Sequence, residues 1–584
     1  MAVIDPERPR EGVAEEAELR RPDPQVAAEA LEPEAGLLAD SDPIGFADAT
    51  MKLAAGLARR PLAAGYAAVR LGADLGLSGA ATWMRALGVD ASGRIAAGPR
   101  DRRFKDPAWE RYPWWFGAEQ AYLLWSRAML ELVEAADLDG PDQMKAEFAV
   151  RVWIDALAPT NFLAGNPTAQ RRAVETNGLS VVAGMQNMAA DFMTNGGRPR
   201  QVDTSGFEVG ENLAATPGKV VYRNRLMELI QYEPQTPTTY EIPLLLSPPW
   251  INKYYVMDLA PGRSFAEWAV KHGHTTFAIS YRNPDATMRD VALDDYLLHG
   301  PHTALDVIAD ITGSELVNIA GLCLGGTLTT MLLAHLAQQG EQRVRSATLL
   351  NTLIDFSQPG MLGSFTEPDS TRRMAARMAA KGVLEGKDMA LTFDLLRAND
   401  LIWNYVASNW LMGEQPPAFD ILAWNADATR MPAAMHSFYL RHCYVENELA
   451  RGEMELAGTP LRIEAIPEEI YLLAAKEDHI VPWKSAYKAT RLFRSPVRFV
   501  LSSSGHIAGI VNPPSPKSRH WTNDDQRAGP EAWRAGAELH EGSWWHDWAD
   551  WISERAGSRR EPPLMGSDRH PPLGAAPGEY VHER

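Results

Sequence analysis

The stretch Leu316-Val-Asn-Ile-Ala-Gly321-Leu-Cys323-Leu-Gly325-Gly326-Thr327 decides the reading of this chain. An apolar run ends in G-x-C-x-G and passes directly into a helix-like segment, residues 327–338, which is the strand, sharp turn and helix of a nucleophile elbow. Cys323 is therefore the candidate nucleophile. Glycines at 321 and 325 suit such a turn, because side chains two positions to either side of a strained residue would strike the neighbouring strand and helix. The same five residues also fit a buried, inert cysteine beside a tight turn, so the decision rests on partners elsewhere in the chain.

Around the elbow, strands alternate with helices. Residues 219–224 and 227–232 predict a hairpin, and 241–246 a buried strand running into Pro248-Pro-Trp-Ile-Asn-Lys253. Helix is expected at 264–272 and 294–311, and strand at 275–280, 316–320 and 345–350. This alternation predicts a mostly parallel sheet covered on both faces. From about 356 to 460 it stops. That stretch carries Met361, Met374, Met378, Met389, Met412, Met431 and Met435 with Trp403, Trp410 and Trp424, and reads as an inserted cap. Sheet signals return at 469–475 and 497–502, followed by a helix over Trp544-Trp-His-Asp-Trp-Ala-Asp-Trp-Ile and a tail rich in Pro, Gly and Arg.

Upstream, residues 51–215 repeat apolar positions at three- and four-residue spacing and predict an all-helical domain. Helices are expected at 114–136, 144–157 and 170–194, with turn-rich joints at 101–109 and 159–167. The aromatic cluster Trp109, Tyr112, Trp114, Trp115 and Phe116 reads as core rather than as a surface for lipid or polymer. Residues 1–50 hold 13 Asp or Glu against 4 Arg, a net of −9 out of −18 for all 584 residues, and are expected to be disordered.

Composition excludes some classes of function. A net charge of −18 argues against nucleic acid as a partner, which wants clustered Lys and Arg. The 2 cysteines give no disulfide framework and suggest a reducing compartment. The N-terminus lacks the apolar core of a secretory signal and no uncharged run approaches a membrane span, so a cytoplasmic protein is expected. Cys443, in Phe438-Tyr-Leu-Arg-His-Cys443, has no glycine elbow and reads as a packing residue.

In an α/β-hydrolase the nucleophile is followed along the chain by an acid and then a histidine, each on a loop after a late strand. Here Ala475-Lys-Glu-Asp478-His-Ile-Val-Pro-Trp483 follows one strand and Ser503-Ser-Gly-His506 follows the next. Order and context select Cys323, Asp478 and His506 as a triad. Asp355 also follows a strand and precedes the histidine, but comes one strand early. His479 adjoins the acid and is expected to face away from it. His302, His335 and His436 lie in helix-like patterns without acid partners and read as surface or core.

At this point the chain resembles the class I poly(3-hydroxyalkanoate) synthases. The matching stretches are Gly321-Leu-Cys-Leu-Gly-Gly-Thr327, Pro248-Pro-Trp-Ile-Asn-Lys-Tyr-Tyr-Val-Met-Asp-Leu259, Ser280-Tyr-Arg-Asn-Pro-Asp285, Trp424-Asn-Ala-Asp427, Glu477-Asp-His-Ile-Val-Pro-Trp483 and Ser504-Gly-His-Ile-Ala-Gly-Ile-Val-Asn-Pro-Pro514. Gly542-Ser-Trp-Trp-His-Asp-Trp and Leu573-Gly-Ala-Ala-Pro-Gly-Glu-Tyr match the family's ending. The resemblance runs from roughly residue 100 onward. It implies an α/β-hydrolase fold with an inserted cap (about 356–460 within a catalytic domain at 216–584) and an N-terminal helical domain. It implies polymerisation of short (R)-3-hydroxyacyl-CoA, chiefly 3-hydroxybutyryl-CoA, with release of CoA by Cys323, Asp478 and His506. It also implies a growing polyester chain, a granule surface and a homodimer as partners.

The oxyanion hole is expected from the backbone N–H of Leu324 and one from the Trp250-Ile251 region, with Ile251 the assigned donor. No metal cluster or phosphate loop is legible, so no cofactor is implied. A thioesterase or an intracellular polyester depolymerase of the same fold is the main alternative. A non-catalytic granule-coat protein built on a dead hydrolase domain is a second.

Overall fold

The computed structural model describes residues 45–584 except 100, 527 and 528. The expectation for the acidic first fifty residues lies outside the described residues as far as 44, and its last positions, 46–50, open the first helix. Helices α1 (Phe46–Arg59), α2 (Pro61–Ala86), α3 (Pro113–Ala136), α4 (Gly140–Ala156), α5 (Pro167–Glu175) and α6 (Leu179–Thr194) form the upstream region. Local chemistry sets several of their starts. Asp139 accepts from the Asp142 N–H at the head of α4, and Asn166 from the Ala169 N–H at the head of α5, each with proline in the first turn. The single helix expected at 170–194 is two. Asn177 and Gly178 both take positive φ, 49° and 84°, which breaks the i to i−4 ladder between α5 and α6.

Downstream, eleven strands make one sheet: β1 (Gly218–Arg223), β2 (Met227–Tyr232), β3 (Leu244–Ser247), β4 (Thr276–Tyr281), β5 (Val317–Leu322), β6 (Val344–Leu350), β7 (Glu469–Ala475), β8 (Val497–Ser502), β9 (Arg519–Thr522), β10 (Glu538–Glu541) and β11 (Gly574–Ala575). Their spatial order is β10-β9-β8-β7-β6-β5-β3-β4-β2-β1-β11. The stretch from β8 across to β4 is parallel. Both flanks are antiparallel, so the sheet is mixed rather than mostly parallel. Strands β3, β4 and β5 are buried along their whole length, as apolar strands covered on both faces must be.

Helix α7 (Leu324–Gln339) follows β5 directly. The long insertion between β6 and β7 contains α8 (Pro368–Lys381) and α9 (Ala433–Phe438). The upstream helices grip this insertion. Lys145 of α4, 2% exposed, pairs with Glu367 and donates to Ser370 Oγ at 2.9 Å, while Phe148 packs edge-on against Phe365. On α6, Asn187 donates to the carbonyls of Asn409 and Glu414 at 3.0 Å, and Trp410 donates to Asp191 at 2.8 Å. Gly184 makes this approach feasible, since a Cβ there would lie 2.0 Å from the Trp410 carbonyl oxygen. Helix α10 (Trp544–Ser553) closes the other side of the sheet, capped by Ser543. The tail after it is docked: β11 pairs with β1, and Lys253 Nζ donates to the Glu583 carbonyl at 2.6 Å.

Candidate active site

The parallel strands end together at one edge of the sheet, and the loops leaving those ends build the site. Cys323 sits between β5 and α7 with φ 52° and ψ −117°, a conformation that L-residues hold only when their surroundings force it. The surroundings are the glycines. A Cβ on Gly325 would lie 1.9 Å from the Ser247 carbonyl oxygen, and one on Gly326 1.9 Å from Thr352 Oγ1. One on Gly321 would lie 2.6 Å from the Cα of Gly326. The first turn of α7 is thus wedged between the loops after β3 and β6, and the Cys323 N–H is held by the Leu350 carbonyl at 2.8 Å.

The loop after β7 supplies Asp478 and the loop after β8 supplies His506. His506 Nδ1 lies 2.6 Å from Asp478 Oδ2, and both side chains are buried. The other carboxylate oxygen, Oδ1, accepts from the N–H groups of Ile480 and Val481 at 2.8 Å each, which fixes the carboxylate's orientation. Burial works against a charged His506, but the Asp478 carboxylate and then the Cys323 sulfur outweigh it and hold the imidazole well above its ordinary range. Nδ1 toward the carboxylate leaves Nε2 as the ring nitrogen for the sulfur.

Two supports of His506 come from other elements of the chain. Asn351, at the end of β6 with φ 44°, donates from Nδ2 to the His506 carbonyl at 2.6 Å. The indoles of Trp544 and Trp545 donate to the carbonyls of Gly509 and Ile510 at 2.8 and 2.9 Å, so the Trp-rich helix buttresses the histidine loop.

Cys323 and His506 open onto a cavity of about 440 Å³ with a largely apolar wall. Leu324 and Ile251 both line it, and as the first residue of α7 Leu324 has an N–H with no intrahelical acceptor. Met374, Met378, Met389 and Trp424 of the insertion face the same space. His479 does not turn away from the site: it lines the cavity, and burial lowers its imidazole to about 4. His436, read from sequence as surface or core, is buried and also lines it.

The competing residues lie apart from this constellation. Asp355 Oδ1 accepts from the Ser357 N–H and from Asn447 Nδ2, both at 2.9 Å, and so ties a loop to the insertion. Cys443 is fully buried, and burial pushes its thiol up. Among the described residues, His442, Glu446 and Glu448 are the group whose ligand atoms lie close enough to share a cation. They already satisfy one another, with His442 Nδ1 2.8 Å from Glu448 and 3.2 Å from Glu446. Among the described residues no helix is long and apolar enough to cross a membrane.

The sheet, the elbow and the residues after β7 and β8 define an enzyme of the α/β-hydrolase fold, and the α/β hydrolase family model matches residues 250–513. The model described as poly-beta-hydroxybutyrate polymerase (PhaC) N-terminus matches residues 100–269. The poly(3-hydroxyalkanoate) polymerase subunit PhaC of Cupriavidus necator is 44% identical over 496 residues, covering 83% of this chain and 84% of that protein. The poly(3-hydroxyalkanoate) polymerase of Methylorubrum extorquens is 43% identical over 520 residues, 88% of this chain and 86% of that one. A solved thermophilic esterase from Thermogutta terrifontis, at 12% identity, covers 58% of this chain and 98% of its own with a TM-score of 0.31. The chain belongs to the poly(3-hydroxyalkanoate) polymerase family and is an acyltransferase.

Proposed function

We propose that this enzyme polymerises short (R)-3-hydroxyacyl groups of about three to five carbons, chiefly 3-hydroxybutyryl, from their CoA thioesters, through a Cys323-His506-Asp478 triad. The observation that carries the reading is the elbow thiol opening with the Asp478-bound His506 onto an apolar cavity. The family membership supplies the substrate class.

In the loading step His506 takes the Cys323 proton, and the thiolate attacks the thioester carbonyl carbon. The backbone N–H of Leu324, with that of Ile251, stabilises the oxyanion. The CoA sulfur leaves with the proton from His506. One thioester has replaced another of similar energy, so the acyl group stays activated. In elongation His506 takes the proton of a 3-hydroxyl, the alkoxide oxygen attacks a thioester carbonyl, and an ester bond replaces the C–S bond as the thiol leaves with the proton from His506. Alcohol activation is the harder step, and there Asp478 holds one tautomer and stabilises the developing imidazolium. None of these steps calls on a cofactor.

The growing polyester and its granule surface, in the cytoplasm, are the proposed partners, together with a second copy of the chain in at least a homodimer. The Met- and Trp-rich insertion motivates both. The deciding experiment follows CoA release and polymer across a panel of 3-hydroxyacyl-CoA lengths. Polymer with CoA release is expected. Free hydroxy acid in its place would make the enzyme a thioesterase or depolymerase, and faster turnover of a ten-carbon substrate than of 3-hydroxybutyryl-CoA would overturn the chain-length reading. Light scattering during polymerisation tests the dimer, which a strictly monomeric active enzyme would exclude.

A further inference from the structure

The wall of the active-site cavity holds a polar side chain that the triad does not use. His436 is 2% exposed, and both of its ring nitrogens are buried without a hydrogen-bond partner. Among the described residues no other histidine is left with both nitrogens in that state. His274, His335 and His479 each lack a partner at Nδ1 alone. The backbone leading into His436 is fixed. The N–H groups of Ala433, Ala434 and Met435 are bonded to the carbonyls of Gly382, Arg289 and Val291 at 3.1, 3.0 and 3.1 Å, which pins the start of α9 to two separate loops.

Burial lowers His436 to about 4, so at neutral pH the ring is uncharged and offers one donor and one acceptor. A buried polar atom without a partner is unfavourable, and native proteins retain one where something else completes it. The Tyr439 ring packs against His436 with centroids 6.0 Å apart, yet neither ring nitrogen finds a protein partner. What remains is the occupant of the cavity. Most of an acyl thioester is apolar, and a 3-hydroxyacyl group differs from a plain acyl group by one hydroxyl. The wall of the cavity is largely apolar, and an apolar surface rejects neither strongly, so the discrimination falls to the polar side chains in the lining, among which His436 has both ring nitrogens open.

We propose that His436 is a specificity-determining residue that receives the 3-hydroxyl of the acyl unit by hydrogen bond, so that the cavity selects hydroxylated acyl thioesters over plain ones. The proposal rests on the acyl transfer described above and adds to it the group that reads the hydroxyl. It gives the imidazole a different task from that of His506, which removes the hydroxyl proton during elongation, whereas His436 holds the hydroxyl while Cys323 is loaded.

The test compares CoA release in the first turnover from 3-hydroxybutyryl-CoA and from butyryl-CoA, in the full chain and in His436→Phe and His436→Gln. His436→Phe is expected to lower the loading rate for 3-hydroxybutyryl-CoA by roughly tenfold or more and to leave butyryl-CoA within about twofold, collapsing the preference. His436→Gln keeps a donor and an acceptor and is expected to retain most of it. Thermal unfolding supplies a readout that a packing role would move. Replacing two unpaired polar atoms by a ring of similar shape is expected to leave the midpoint unchanged or raise it.

An unchanged substrate ratio in folded, active His436→Phe overturns the proposal. So does an equal loss on both thioesters with a lowered midpoint, which would make His436 a packing residue. If His436→Phe fails to fold, the ratio measured in His436→Gln decides: retained preference supports the role, and a folded Gln variant that has lost the preference excludes it. If the unmodified enzyme releases CoA from neither thioester, the acyl-transfer reading fails first and this inference falls with it, an outcome distinct from an unchanged ratio.

Discussion

The two cysteines of this chain are the same side chain in opposite settings. Cys323 is held half-buried on a turn of positive φ, with Asp478-bound His506 beside it and an apolar cavity in front. Cys443 lies in the insertion, fully enclosed, with its thiol pushed up by burial. In the proposed function reactivity comes from the backbone that presents the sulfur and from the base beside it, and a sulfur without them is a packing atom.

Removing the sulfur at the elbow is the largest test of this contrast. Cys323→Ala is expected to reduce CoA release by roughly a thousandfold or more while far-UV circular dichroism and the unfolding midpoint stay unchanged. Retention of more than about a few per cent of turnover would sink the assignment. The backbone's share is tested next by Gly325→Ala, whose methyl would lie 1.9 Å from the Ser247 carbonyl oxygen. The elbow has to shift, and expected losses are most of the activity plus about 1–3 kcal/mol of stability, measured by denaturant unfolding.

The base is tested by Asp478→Asn. Loading needs only a thiol deprotonated, so an early release of about one CoA per active thiol is expected, followed by elongation roughly a hundredfold slower or worse. Asp355→Asn should show no such split, because its carboxylate serves Ser357 and Asn447. A burst and stall in that variant alone would mean the wrong acid has been chosen.

The desolvation that pushes up the Cys443 thiol also acts on three histidines, of which His436 and His479 line the cavity. Burial lowers His274 to about 3 and His436 and His479 to about 4. Between about pH 6.5 and 4 the unfolded chain binds protons that these rings refuse, so their contribution to stability is present above about 6.5 and is lost as the pH falls through that window. Unfolding midpoints should drop across it, and His436→Phe should flatten the slope. The smallest effect is expected from Cys443→Ser: activity within about threefold, with about 1–3 kcal/mol lost from burying an unpaired hydroxyl. If it abolished turnover and Cys323→Ala did not, the roles of the two would be exchanged.

What is legible in the sequence is local. The G-x-C-x-G-G run, the two strand-terminal loops carrying Asp478 and His506, and the fully buried strands β3, β4 and β5 each announce themselves within a dozen residues. Strands β9 and β10 do not, because Arg519-His-Trp-Thr522 and Glu538-Leu-His-Glu541 are polar edge segments whose pairing is set by β8. The break at Asn177 and Gly178 is hidden inside an otherwise helical pattern. Sequence reads His436 as surface or core and turns His479 away from the site because nothing in their flanking residues tells which way a distant insertion will fold back to form the cavity. Asn351 is invisible for the same reason: its partner, the His506 carbonyl, is 155 positions further along the chain.

The grip of the upstream helices on the insertion also has a consequence in time. Asn187 and its acceptor Asn409 are 222 residues apart in the chain. At a synthesis rate of about 5–20 residues per second, α6 leaves the ribosome roughly 10–45 seconds before the segment that covers it. During that interval the close-approach face around Gly184 has no partner, while Leu179, Met185 and Phe192 are exposed even in the finished molecule. A nascent chain of this enzyme therefore carries a bare apolar helix through much of its own translation, and its yield in the cell should depend on how well that helix is shielded from its neighbours on the polysome.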